Sequence, residues 1–339
     1  MKFKAVILQE IDKPLIVDEL EITSLEVGQV LVEVLASGIC GAQLQEIAGL
    51  KGNAKFVPHT LGHEGVGIVR DIGVGVTTLK VGDKVVMHWR IGRGIEAPFP
   101  KYQWGSKTIS GGKVTTLAQY SIVSENRLTK VNDDENNTLC ALMGCGITTA
   151  FGVINNEAKI KLGESVLVIG VGGVGMFLIK GAKLAGASPV FSIDNTDKER
   201  LAQEAGADFF VNTKKQDFPS NIYFDSILDT TGSHTIFSEY SQKLSNNGRY
   251  ILIGQPKPDT ALVLPNAYHL FNGKGQTIKA TQGGETNPNE DINRYLSFYR
   301  NRRISPTFGV THSEFKLEQI NTAINTMKQG LAGRIVITM

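Results

Sequence analysis

Cysteine is scarce in this chain. Cys40, Cys140 and Cys145 are the three thiols among 339 residues. They are too few and too scattered for a disulfide framework, which leaves ligand or packing roles and points to a reducing compartment. Long hydrophobic runs are missing as well. No apolar stretch reaches the ~20 residues that span a bilayer, and MKFKAVILQEIDK meets charge too early for the apolar core of a secretory signal. A cytoplasmic protein with no membrane partner is expected. Charge of one sign is not in excess: Lys and Arg number 35 against 33 Asp and Glu, a formal net charge of +2. With no basic run interleaved with aromatics, this excludes nucleic-acid binding driven by bulk charge. There is no polar low-complexity tract and no repeat at a fixed period. What remains, at 41% hydrophobic and 20% charged residues, is a globular composition too long for one ordinary core, so two domains are expected.

Glycine is plentiful, 37 residues, and its densest pattern lies between Ser165 and Asp194. Ser165 to Ile169 is a β-branched, apolar run suited to a buried parallel strand. Gly170, Gly172 and Gly175 follow in the spacing Gly-x-Gly-x-x-Gly, and a helix-like run continues from Val174 to Leu184. A second short strand, Pro189 to Ile193, ends on Asp194, nineteen residues after Gly175. Each part has a mechanical reason. Gly170 permits the tight turn, Gly172 lets backbone amides approach a pyrophosphate, and Gly175 lets helix and strand pack closely. The turn's Gly173 and Val174 open the helix, whose unpaired N–H groups and partial positive charge suit phosphates. Asp194 can accept hydrogen bonds from both ribose hydroxyls and would repel a 2′-phosphate, which favours NAD over NADP.

Around this unit the chain reads in two styles. Lys4 to Leu8, Leu15 to Leu20 and Gln29 to Leu35 read as strands, and glycine-punctuated strand material continues to Val86, giving a β-rich first segment. Gly92 to Gly112 is irregular and reads as a surface excursion returning to a strand at Thr115 to Val123. Thr138 to Asn155 reads as one helix. After the glycine unit, strands at Phe209 to Val211, Ser226 to Asp229 and Arg249 to Ile253 alternate with helical stretches, which implies a parallel sheet wound in one hand. Helices at Asp291 to Asn301 and Leu317 to Gln329 and a last strand, Arg334 to Thr338, close the sequence. The expected class is α/β.

Cys40 in SGICGAQL, His63 in LGHEGVG and Cys145 in LMGCGITTAFG lack the short spacing of a zinc finger or ribbon. By spacing alone they read as packing residues. In this order and at these distances from the glycine turn, however, the three segments resemble the medium-chain, zinc-dependent alcohol and polyol dehydrogenases. The resemblance runs nearly end to end, through Gly62-His63-Glu64-Gly65-Val66-Gly67, Gly144-Cys145-Gly146, the VGGVG of residues 171–175, Ala205-Gly206-Ala207 and Gly333-Arg334-Ile335-Val336. It implies a Rossmann doubly wound parallel sheet, residues 147–284, binding NAD, and a β-rich GroES-like catalytic domain, residues 1–146 and 285–339. It implies one catalytic zinc on Cys40, His63 and Cys145, with Glu64 behind the metal and able to join its ligands. Asp194 would hold the adenosine ribose with Lys198 beside it, Arg334 would reach the pyrophosphate, and Thr149 would lie near the nicotinamide. A homodimer or homotetramer is implied too. The reaction expected is hydride transfer between NAD and an alcohol or carbonyl, on a polyol or sugar derivative.

The sequence departs from the family pattern in three places. The second, structural zinc cannot form, because His88 to Lys113 holds no cysteine. That lobe is expected to be held by packing of Trp89, Phe99, Tyr102 and Trp104. The hydroxyl that commonly relays the substrate proton is replaced by Ala42, and a histidine often found beyond it by Gln45. The aspartate that often orients the metal's histidine is Gln43, which brings no charge. These losses keep two alternatives in view, a zinc-independent NAD(P)H reductase of the same superfamily and a non-catalytic NAD-binding protein. Arg90, Arg93, Lys101, Lys107 and Lys113, with Glu96 the one acid among them, read either as a solvated basic loop or as recognition of a phosphorylated or otherwise anionic substrate. His59 and His88 read as structural.

Overall fold

A computed structural model describes residues 1–22, 24–52, 54–268, 275–330 and 332–339. The chain forms two compact units, residues 1–148 with 287–339 and residues 149–286.

The first unit is β-rich. Its centre is the strand Gln29–Ile39, which pairs antiparallel with Glu64–Ile72, Tyr120–Ser124 and Arg334–Thr338. Val30, Val32 and Val34 are buried at alternate positions, the period expected of a strand with one face on the core. The antiparallel registers set Ser37 against Gly65 and Ile39 against Ile335. The C-terminal end of the central strand therefore meets the N-terminal starts of its two neighbours. The next strand, Lys84–His88, ends with His88 opposite Glu64. Four chain segments far apart in sequence thus meet at one end of one sheet.

A closed barrel completes this unit, built from Lys2–Leu8, Ile16–Glu21, Lys101–Trp104, Lys107–Ser110 and His59–Thr60. Its core holds Phe3, Ala5, Ile7, Leu20, Tyr102, Ile109 and Ile122. The stretch expected to be irregular thus contains a hairpin, Lys101–Trp104 paired with Lys107–Ser110 across Gly105-Ser106. The sequence hid it because each strand is only four residues long and, beside Tyr102, Trp104 and Ile109, carries polar residues.

The helix expected over residues 138–155 is broken. Asn137–Met143 and Gly146–Gly152 are separate helices, followed by a π turn at Val153–Glu157. Asn136 caps the first by accepting from Leu139 N–H at 3.0 Å. At the break, a side chain on Gly144 would lie 2.2 Å from the Met87 carbonyl and 2.7 Å from the Glu64 Cα. Gly144 lets this corner press against the sheet end, and Cys145 is the residue presented there.

The second unit is a six-stranded sheet ordered Phe209–Asn212, Val190–Asp194, Val166–Ile169, Phe224–Asp229, Leu244–Leu252, Thr277–Ala280, with every pairing parallel. Val166, Leu167, Val168 and Ile169 are all buried, as a strand covered on both faces requires. In chain order the sheet reads 3-2-1-4-5-6, so winding reverses beside Val166–Ile169, at whose C-terminal end the glycine turn sits.

A candidate metal centre and a dinucleotide turn

Cys40 follows the central strand directly and starts the helix Gly41–Ile47, while His63 immediately precedes the strand Glu64–Ile72. Cys145 comes in from the helix break. The sulfur atoms of Cys40 and Cys145 and a ring nitrogen of His63 lie within 4.8 Å of one another. Among the described residues this is the one group of three or more Cys, His and carboxylate side chains close enough to share an ion. Two thiols and an imidazole are a zinc donor set that leaves a fourth tetrahedral place open.

The electrostatics suit a cation. Cys40 is held well below the usual thiol range by a hydrogen bond from Cys145 and by His63 and Arg334, against the opposing effect of burial. Cys145 is pushed well above it, because its proton is shared with Cys40 and the pair is buried, while a Trp89 hydrogen bond works the other way. The pair gives up one proton readily and resists losing the second unless a cation replaces it.

Behind the thiols lies a buried ion pair. Arg334 is 1% exposed and Glu64 0%, and the Arg334 guanidinium donates to Glu64 Oε1. Glu64 Oε2 accepts from Gly146 N–H at 3.2 Å. The carboxylate stands outside the three-ligand group with both oxygens engaged. Gly38 makes room for it, since a side chain there would lie 2.7 Å from Oε1. Gly146 leaves room for the guanidinium in the same way, at 3.1 Å from its Cζ. Arg334, expected on a pyrophosphate, is placed in the first unit against Glu64 and beside Cys40. The GRIV motif drew attention to Arg334, but its partner was not legible, because the pair is 270 residues apart.

The imidazole is held from the other side. Gln43, 1% exposed, accepts from the Cys40 backbone N–H at 2.8 Å through Oε1, and its amide nitrogen lies 2.5 Å from His63 Nδ1.

In the second unit, Gly170 has φ +88°, and a side chain on Gly175 would sit 1.9 Å from the Gly170 carbonyl oxygen. A side chain on Gly172 would meet nothing within 4 Å, which leaves the turn open toward an incoming group. Gly173 and Val174 form the first turn of the helix Gly173–Leu184. Asp194 Oδ2 accepts from Val171 N–H at 2.8 Å, and Oδ1 accepts from Thr196 N–H at 2.9 Å and its hydroxyl at 2.6 Å. Lys198 Nζ stands 3.7 Å from the same carboxylate. Asp194 therefore locks the second strand to the glycine turn and keeps lone pairs for a further donor. Thr149 is half-buried on the helix Gly146–Gly152.

These geometries agree with what the chain resembles. Residues 26–133 match the alcohol dehydrogenase GroES-like domain, and residues 173–316 match the zinc-binding dehydrogenase domain. The chain belongs to the medium-chain dehydrogenase/reductase family. Within the family it is an enzyme of the alcohol dehydrogenase type. Alcohol dehydrogenase 6 of Peromyscus maniculatus is 28% identical over 371 residues, covering 99% of this chain and 98% of that protein. The S-(hydroxymethyl)glutathione dehydrogenase of Synechocystis sp. is 32% identical over 245 residues, 65% of this chain and 66% of that protein. Among solved structures, benzyl alcohol dehydrogenase from Acinetobacter calcoaceticus superposes with a TM-score of 0.89 at 25% identity, over 100% of this chain and 99% of that one.

The family's cysteine-bearing lobe is held differently here. Of the aromatic residues expected to pack, Tyr102 is buried in the barrel core with Trp104 against it, while Phe99 is 52% exposed. Charges hold the rest of the lobe. Glu96 accepts from Lys113, from Asn126 Nδ2 at 2.6 Å and from Arg127 Nη2 at 3.1 Å. Burial works to raise the Glu96 pKa, and these three donors outweigh it and bring it to about 2. Glu125, 0% exposed, gathers Thr77 N–H, Thr78 N–H and the Thr78 hydroxyl on Oε1 and Ile95 N–H at 2.7 Å on Oε2. The basic residues of the lobe are in part consumed by this. Arg93 pairs with Glu290 at 3.0 Å, Lys113 with Glu96, and Arg90 lies over the Trp89 ring. His88 is structural: Nδ1 donates to the Arg90 carbonyl, Nε2 accepts from the Thr129 hydroxyl, and burial lowers its pKa to about 4.

Proposed function

We propose that this protein interconverts an alcohol and its carbonyl compound with NAD at one zinc ion held by Cys40, His63 and Cys145, with no structural ion. The observation that carries the reading is the convergence of these three donors within 4.8 Å in a chain of this family. Zinc at such a site would polarise a carbonyl and acidify an alcohol. NAD would bind with its pyrophosphate at Gly170, Gly172, Gly173, Val174 and Gly175 and its adenosine ribose on Asp194, with Lys198 alongside and Thr149 toward the nicotinamide. Asp194 disfavours a 2′-phosphate and so NADP.

The chain's own residues prepare the site. The buried Arg334–Glu64 pair sets a positive charge beside Cys40, which stabilises its thiolate without opening the site to solvent. Ala42 and Gln45 carry no group that titrates, and Glu64 is engaged by Arg334 and Gly146, so the alcohol proton passes to water or through a second hydroxyl of the substrate. A neutral polyol or sugar is the substrate class favoured, because Arg93 and Lys113 are already paired with carboxylates.

The test is metal content of the full chain purified without chelators, together with Cys40→Ala, followed by turnover on polyols, sugars and their phosphates with NAD. About one zinc per chain, lost in the variant, and NAD-dependent oxidation of a polyol are expected. No metal in either protein would sink the zinc reading, and NADH binding without turnover would leave a cofactor-binding protein.

A further inference from the structure

The buried amide of Gln43 faces two groups that make incompatible demands once His63 serves as a ligand. The Cys40 backbone N–H can only donate, and Gln43 Oε1 meets it at 2.8 Å. That fixes the amide's orientation and turns its nitrogen toward His63 Nδ1, 2.5 Å away. An amide nitrogen is a donor, so Nδ1 is the accepting nitrogen and Nε2 carries the ring proton. The ring's other edge is the one turned toward the Cys40 and Cys145 sulfurs, which lie within 4.8 Å of a ring nitrogen. Every polar group in this arrangement has a partner.

With Nδ1 against Gln43, Nε2 is the nitrogen left to face the two sulfurs. A neutral imidazole that ligates through Nε2 carries its proton on Nδ1, and such ligands almost always donate that proton to an acceptor. The amide nitrogen of Gln43 cannot accept it. Turning the amide over brings Oε1 to His63 but then sets the NH2 group against the Cys40 N–H. A glutamine side chain has one acceptor atom and a carboxylate has two. At 1% exposure no bulk water is at hand to serve the donor left over.

We propose that Gln43 is a positioning residue that favours the hydrogen-bonded, metal-free arrangement of Cys40 and His63, so that this chain holds its zinc more weakly than a carboxylate at position 43 would. The inference rests on the zinc reading above. It makes the metal exchangeable by design of the acceptor count: loading the ion strands either the Cys40 N–H or the His63 Nδ1–H. The nearest isostere with a second acceptor, Gln43→Glu, removes the conflict. Gln43→Met keeps the volume and removes both the amide's oxygen acceptor and its NH2 donor.

The experiment is zinc affinity of the full chain by competition with a chromophoric chelator, for the native protein, Gln43→Glu and Gln43→Met. It is paired with nitrogen-15 spectra of the His63 ring in the zinc-free proteins. Gln43→Glu should bind zinc about 10- to 100-fold more tightly, the range by which partners of metal-bound histidines tune affinity, and Gln43→Met, which takes the Gln43 bonds away from the metal-free arrangement too, should bind it no more weakly than the native chain. The native His63 ring should be protonated on Nε2, and the Gln43→Glu ring on Nδ1. The ring signature separates acceptor count from added charge, which alone would tighten binding without moving the proton. Equal affinities for native and Gln43→Glu protein, or a native ring already protonated on Nδ1, would overturn the proposal. No zinc bound by any of the three would instead overturn the zinc reading on which it stands.

Discussion

Replacing Arg334 tests how the candidate metal centre is supported. Its side chain is 2% exposed and that of Glu64 0%, so neither charge has solvent to fall back on. Arg334→Met leaves a buried carboxylate with no cation, a loss of about 3–5 kcal/mol for breaking a buried pair. A Coulomb figure of about 4 kcal/mol, for ~4 Å at an effective dielectric of ~20, agrees in size. Glu64→Gln strands the guanidinium and should cost a similar amount. The double variant removes both charges, leaves a neutral amide to meet Gly146 N–H, and should lose about 2–3 kcal/mol less than the two single losses added together. Urea unfolding in reductant and chelator reads this out, and the assay is local: both tryptophans of the chain, Trp89 and Trp104, lie in the first unit. With a slope of about 2 kcal/mol per molar urea, Arg334→Met should lower the midpoint by about 1.5–2.5 M. If the single losses sum to that of the double variant within about 0.5 kcal/mol, the pair is uncoupled and the reasoning fails.

Three further outcomes follow from the same geometry. Glu96 has its pKa brought from 4.5 to about 2, so its contribution to the lobe is whole above pH ~4.5 and is lost as pH falls through ~2; tryptophan fluorescence should report a change in that window which Glu96→Gln abolishes. Glu125→Gln keeps an oxygen for Thr77 and Thr78 but turns an NH2 group toward Ile95 N–H, and the buried donor left unmatched should cost about 1–3 kcal/mol by the same urea assay. Asp194→Asn should weaken NADH binding and reduce the discrimination against NADPH in fluorescence titrations, whereas unchanged preference would remove Asp194 from the ribose.

Local patterns were legible in the sequence wherever one segment contained its own explanation. The strand, the glycine turn, the helix and Asp194 lie within thirty consecutive residues, Ser165 to Asp194, and the chemistry of a phosphate-binding turn is local backbone chemistry. The absence of cysteine between His88 and Lys113 likewise argued against a four-cysteine structural site from the sequence alone. The hairpin Lys101–Trp104 with Lys107–Ser110 was not legible, because its four-residue strands are polar outside Tyr102, Trp104 and Ile109. Nor was the break at Gly144, because apolar periodicity runs across it and only the press of Met87 and Glu64 against that corner ends the helix.

Resemblance to a family named Cys40, His63 and Cys145, but spacing along the chain could not bring them together. Antiparallel register brings Cys40 to His63, by aligning the end of Gln29–Ile39 with the starts of Glu64–Ile72 and Arg334–Thr338, and the corner at Gly144 against Met87 and Glu64 brings in Cys145. The partners of buried charges were decided the same way. Arg334 meets Glu64 across 270 residues of sequence, and Glu125 meets Thr77 and Thr78 across 48 and 47. A sequence records which groups carry charge. Which of them share a water-free space is set by how the strands register and pack, and that space fixes their chemistry.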